Sequence, residues 1–205
     1  MKDFVPQGWK IIAEVYGDLN KDDVPDGVLV IQKTSKENII LNDISFGSDT
    51  LDINPRKIII AFKQGADYVM VLDNETFIPP QDNEDNSCQD DPFQDLNIGK
   101  GVLNVQLHYW YSCGSWFVES DNYTFCYQNN AFELIEFNIT SFHRASGESH
   151  EVKIDYLTKY KRTLAYNMFD EEVEEAEKTE AISIDSLLKL ENMTFETEIP
   201  CLGTP

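Results

Sequence analysis

Apolar and polar residues alternate in short runs along most of the chain, and Gly, Asn and Asp punctuate the runs. A period of two puts every second side chain on one face, which is the pattern of a half-buried strand. It predicts strands over 10–16, 27–32, 56–63, 68–72, 95–98, 102–111, 116–127, 131–138, 151–156 and 162–166. Residues that favour tight turns lie between several neighbours, at Gln64-Gly65-Ala66-Asp67, Gly99-Lys100-Gly101 and Gln128-Asn129-Asn130. Sequential strands with short connections pair most simply as a meander. The expected fold is therefore mostly β, with antiparallel meander or sandwich-like sheets, of which a propeller blade is one form.

Two stretches break the alternation. Residues 79–86 are polar and turn-rich, so they form a loop. Residues 170–180 carry seven acidic side chains and one lysine, and like-charge crowding predicts a solvated linker or a marginal helix over 168–181. The organisation expected is a β domain over 1–167, that acidic segment, and a tail over 182–205. Within the tail, residues 183–190 read as a short helix capped by Asp185 or Ser186.

Charge narrows the partners. The 205 residues include 37 acidic and 16 basic side chains, for a formal charge of −21. Such a field repels phosphate backbones and concentrates cations, so nucleic acid is not an expected partner. No apolar run reaches the ~18 residues that a membrane helix needs. Residues 1–6 lack an apolar signal core, so the chain is expected to be cytosolic or to follow a removed leader.

The clearest chemical signal is Asp18-Leu19-Asn20-Lys21-Asp22-Asp23-Val24-Pro25-Asp26. Oxygen-bearing side chains fall at relative positions one, three, five and nine, and position seven offers a backbone carbonyl. Calcium takes about six to eight oxygens at about 2.3–2.6 Å. Asp18, Asn20, Asp22, the Val24 carbonyl and Asp26 are thus the expected metal ligands, with calcium as the ion and water completing the shell. The loop is not an EF-hand, because the twelfth position is Leu29 and both flanks read as strands. The sixth position, Asp23, replaces the usual glycine, and aspartate tolerates a left-handed backbone better than most residues. The plainer alternative is a turn rich in Asp and Asn whose carboxylates are merely solvated.

Strand, Gly17-Asp18-Leu19-Asn20-Lys21-Asp22, Asp26 and a second strand together resemble the loop of FG-GAP and VCBS-type repeats, which implies calcium held between strands. More widely, Gly8-Trp9-Lys10, Asn54-Pro55-Arg56, Asp91-Pro92-Phe93, Phe125-Cys126-Tyr127 and Phe132-Glu133-Leu134-Ile135 resemble an uncharacterised family of secreted bacterial lipoproteins. That resemblance implies export to the periplasm or cell surface and a lone FG-GAP-like unit. It carries no activity. With one such loop and no internal repeat, a complete propeller is not expected.

Tyr109-Trp110-Tyr111 and Trp116-Phe117 are open to two readings: a stacking platform for a glycan or partner, and ordinary sheet packing. His108, His143 and His150 show no metalloprotease spacing, and no nucleophile elbow is present. Of the four cysteines, Cys113 and Cys126 are expected to lie close, with Cys88 the competing partner and Cys201 free. Three function classes follow. The first is a non-enzymatic exported domain that binds an unknown protein or glycan. The second is a hydrolase of extracellular polymers with its acids in the 82–91 loop. The third is a cytosolic acidic interaction or immunity-type protein. A pocket of converging carboxylates favours the hydrolase, and a flat charged face favours binding.

Overall fold

The computed structural model describes residues 1–43, 46–170, 172 and 175–203. The strands are β1 (Trp9–Gly17), β2 (Asp26–Lys33), β3 (Ile39–Leu41), β4 (Thr50–Asp52), β5 (Arg56–Gln64), β6 (Asp67–Asn74), β7 (Phe93–Gly99), β8 (Val102–Tyr109), β9 (Phe117–Gln128), β10 (Ala131–His143), β11 (Glu148–Asp155), β12 (Tyr160–Asn167) and β13 (Ala176–Ala181). All three sheets are antiparallel: β1-β2-β5-β6, a seven-stranded meander from β7 to β13 in chain order, and a β3-β4 ribbon. The mostly β, meander-like expectation is met.

Tight turns set the register. Lys100-Gly101 joins β7 to β8 and Asn129-Asn130 joins β9 to β10, all four with positive φ. Two consecutive left-handed residues match the twist of a two-residue hairpin, and Asn and Gly reach that region at low cost. The two large sheets enclose one apolar core. Val28, Val30, Ile58 and Ile60 from the smaller sheet meet Leu103, Val105, Phe125, Phe132 and Phe137 from the larger. β2 is buried on both faces, because its Leu29 and Ile31, with Ile59 of β5, form a second cluster with Met1, Phe4 and Trp9.

Three expectations are corrected. The acidic segment is not wholly linker or helix: residues 176–181 form the edge strand β13, while residues 171, 173 and 174 lie outside the described residues. Cations on β12 make this possible, with Arg162 bonded to Glu177 at 2.8 Å and Lys161 3.6 Å from Glu180. Its described residues are exposed, apart from half-buried Glu180, as their charge requires. Residues 183–190 are not helical. They are irregular, with a bend at 185–186 and a bridge from Lys189 to Glu133. Ile182, Ile184, Leu187 and Leu188 pack on the core, and a single 3-10 turn begins at Leu190. Finally, Cys113 bonds to Cys88, with Cα atoms 5.4 Å apart, and Cys126 and Cys201 are free. Cys126 is buried on β9, and the bridge instead ties the loop after β8 to the segment before β7.

Candidate functional site

The 18–25 loop closes the β1–β2 hairpin and is built by its own carboxylates. Asp18 Oδ1 accepts from the amides of Lys21 (2.7 Å) and Asp22 (3.1 Å), and Oδ2 accepts from Asp23 N (3.0 Å). Asn20 donates to Asp22 Oδ2 at 3.0 Å, and Asp22 Oδ1 accepts from Val24 N at 2.9 Å. Lys21 and Asp23 are both left-handed, so aspartate does occupy the conformation that glycine usually fills. Asp26 is set apart. It is fully buried, and its oxygens accept from Leu19 N (2.9 Å), Asn20 N (3.3 Å) and Lys63 N (3.0 Å). Gly17 lets the loop approach β7, since a Cβ there would lie 2.5 Å from Ile98.

Fit to calcium follows from lone pairs. An ionised carboxylate offers about four acceptor directions. Asp18 uses three of them on backbone amides. Asp18, Asn20 and Asp22 share one turn and retain acceptor capacity, and Val24 is exposed beside them. Asp26 likewise accepts three amides, and what sets it apart from them is its complete burial. Among the described residues no three His, Cys, Asp or Glu side chains are grouped to hold a metal. A cation here would rest on two carboxylates, one amide oxygen, a backbone carbonyl and water.

Trp110, Trp116, Asp82 and Asp91 make structural contacts, while Asp82, Glu84 and Asp85 also line a cleft of about 410 Å³ with Tyr109. Arg144 lies against both Trp110 and Trp116, 4.2 and 5.5 Å from the ring centroids, and bonds the carbonyls of Tyr111 and Ser115. It clamps the loop that the Cys88–Cys113 bridge also ties. Arg56, 2% exposed, forms a two-pronged pair with Asp91, both bonds 2.6 Å. Asp82 accepts from Asp52 N at 2.6 Å. His108 bonds Ser120 across strands, as a structural histidine does.

The site that sequence reading missed lies on β9. Glu119, Asp121 and Tyr123 share the inward face, where Asp121 stands opposite Leu107 on β8 and Ile139 on β10. Residues 195–203 cross over this face as a strap. It is anchored by Tyr156 OH donating to the Pro200 carbonyl (3.0 Å), Lys161 donating to the Leu202 carbonyl (2.8 Å) and buried Ile199. Beneath the strap lies a cleft of about 420 Å³. Asp121 lines it at 8% exposure, its Oδ1 without a partner and its Oδ2 only 3.5 Å from the Tyr123 hydroxyl. Burial, with the Glu119 charge beside it, raises the Asp121 carboxyl to about 7. Burial also raises Glu119, and it pushes the Tyr109 and Tyr123 hydroxyls well above their ordinary value. The signal was present in Glu119-Ser120-Asp121-Asn122-Tyr123-Thr124-Phe125, where two carboxylates alternate in phase with core aromatics. A scan against protein-family models, a search of curated proteins and a search of solved structures each found no match to this chain.

Proposed function

We propose that this chain is a non-enzymatic binding domain of an exported protein, and that it takes its ligand in the cleft between β9 and the C-terminal strap. One observation carries the reading: Asp121 lines the cleft, and one of its buried carboxylate oxygens has no hydrogen-bond partner within the protein. An unfilled buried acceptor costs about 1–3 kcal/mol or more. Hydrophobic packing would remove that cost, and clefts that keep a polar group in this state are binding-site candidates. The Cys88–Cys113 bridge supports export, because disulfides persist in oxidising compartments. The 18–25 loop supports a calcium ion held by Asp18, Asn20, Asp22 and the Val24 carbonyl, which would stiffen the β1–β2 hairpin.

The test is a fragment screen read by amide chemical shifts. Binding fragments should move residues 119–123 and 195–203 together. Hits that map only elsewhere would sink the reading. A second reading, a hydrolase, is favoured by the raised Asp121 carboxyl beside Glu119, a pairing suited to proton transfer. Recovery of bound ligands unchanged supports the binding domain, and recovery of cleaved ones supports the hydrolase.

A further inference from the structure

Carboxylates reach the cleft from two directions. Glu119 and Asp121 rise from β9, and Glu196 and Glu198 belong to the strap above them. Lysine, arginine and histidine are absent from its lining. Lys161 reaches the far end of the strap, but its ammonium is engaged by the Leu202 carbonyl and Glu180. His150 opens onto a neighbouring smaller cleft and lies 3.7 Å from Glu148. Among the described residues, none of these four acids has an ion-pair partner within the chain. Apolar side chains also line it, with Phe137 and Ile139 from β10 and Phe195 from the strap.

The geometry points to a small organic ammonium ion as the ligand, its charge beside Asp121 and Glu119 and its carbon body against Phe137, Ile139 and Phe195. This rests on the cleft being the binding site. Three alternatives fail on the same observations. An anion would enter among four carboxylates with no basic group to meet it. A neutral hydroxyl donor would fill the free oxygen of Asp121 but bring no positive charge to a cleft lined by four acids. An ammonium does both, because it donates and it carries the opposite charge. A bare metal ion finds no group of three suitable side chains among the described residues, and it has no use for an apolar wall.

Two further features favour the ammonium. Tyr123 and Phe137 are among the residues that line the cleft, and aromatic rings attract cations within about 6 Å. The formal charge of −21 draws cations towards the surface before any of them finds the cleft. The cleft's volume also falls in the range of small-molecule pockets, about 300–1,000 Å³.

Isothermal titration at fixed ionic strength tests the assignment with four probes: benzylamine, benzyl alcohol, benzoate and Nα-acetyl-lysine N-methylamide. The first three share a ring and differ in charge. The fourth presents an ammonium from a polypeptide chain. Benzylamine should bind at least about tenfold more tightly than benzyl alcohol, the factor expected of one charge-assisted hydrogen bond, and benzoate should not bind. Asp121→Asn and Glu119→Gln, both close in shape to the native residues, should each weaken benzylamine by about tenfold while far-UV circular dichroism stays native. Tighter binding of the lysine derivative would place the ammonium on a polypeptide, and tighter binding of benzylamine would make it a free amine. Equal binding of benzylamine and benzyl alcohol would overturn the ammonium class yet leave the cleft as a site. Unchanged benzylamine affinity in both variants would put the amine on the general acidic surface and overturn the assignment. No binding by any probe would remove the cleft reading as well.

Discussion

Burial, and after it the neighbouring Glu119 charge, lift the Asp121 carboxyl from 3.8 to about 7 in the folded chain. Between pH ~4 and ~7 the folded state therefore keeps a proton that the unfolded state releases, so stability falls as pH rises through that window and the loss is complete above it. A rise of that size corresponds to about 4 kcal/mol, at about 1.4 kcal/mol per tenfold change in proton affinity. Asn keeps the shape and cannot ionise. Asp121→Asn should be more stable than the native chain at pH 8, by about 2–4 kcal/mol, and nearly equal to it at pH 4. Urea unfolding at the two pH values measures this directly. An equal difference at both would show that the carboxyl does not hold its proton in the fold. The residue scale is also where sequence reading succeeded and failed most sharply. Asp23 takes the left-handed backbone its chemistry allows. The burial of Asp26 was not legible, because it depends on Lys63, which sits on β5 and is distant in sequence.

At the scale of elements, two of the short motifs turn out to be one interaction. Asn54-Pro55-Arg56 begins β5, Asp91-Pro92-Phe93 leads into β7, and the Arg56–Asp91 fork joins them. From a third side the Arg56 Nε donates to Gln32 Oε1 at 3.1 Å. The two partners are unequal: the Arg56 side chain is 2% exposed and that of Asp91 is 41% exposed. Asp91→Ala leaves a buried, uncompensated cation and should cost about 3–5 kcal/mol. Arg56→Met removes the buried charge and leaves a carboxylate that water can reach, so it should cost less. Denaturant midpoints of the two variants decide the order, and the reverse order would mean that Arg56 is not desolvated. All ten expected strands are present: most have one buried face and write its period into the sequence, while β2 and β5, buried on both faces, show as continuous apolar runs. The strands that alternation missed lack that signature. β3 and β4 are three residues long, and β13 is polar on both faces and held by cations from β12. The helix expected at 183–190 is absent, and the apolar residues Ile184, Leu187 and Leu188 pack on the core from an irregular segment, tertiary packing overriding local propensity.

On the scale of the whole molecule, the formal charge of −21 makes every cation a stabiliser to some degree, since screening relieves self-repulsion in the compact state. Calcium at the 18–25 loop has to be separated from that background. The separation is possible because the two effects depend on different variables: screening follows ionic strength, and a site follows the concentration of one ion. At a hundredfold excess over its dissociation constant, a ligand specific for the fold adds about 2.7 kcal/mol. For a chain of this length each kcal/mol raises the melting temperature by about 2–4 °C. Melting curves in calcium and in magnesium at matched ionic strength should therefore differ by several degrees, because magnesium demands compact octahedral geometry and keeps its waters. Asp22→Ala should erase the difference and leave the general salt response intact, since Asp22 is exposed and its bonds lie within the loop. Asp26→Asn behaves differently. Asp26 is buried against Leu19, Asn20 and Lys63, so this change should lower stability with or without calcium. If calcium and magnesium give one curve, the loop is a turn closed by its own amides, and the charge of the molecule accounts for all of its response to salt.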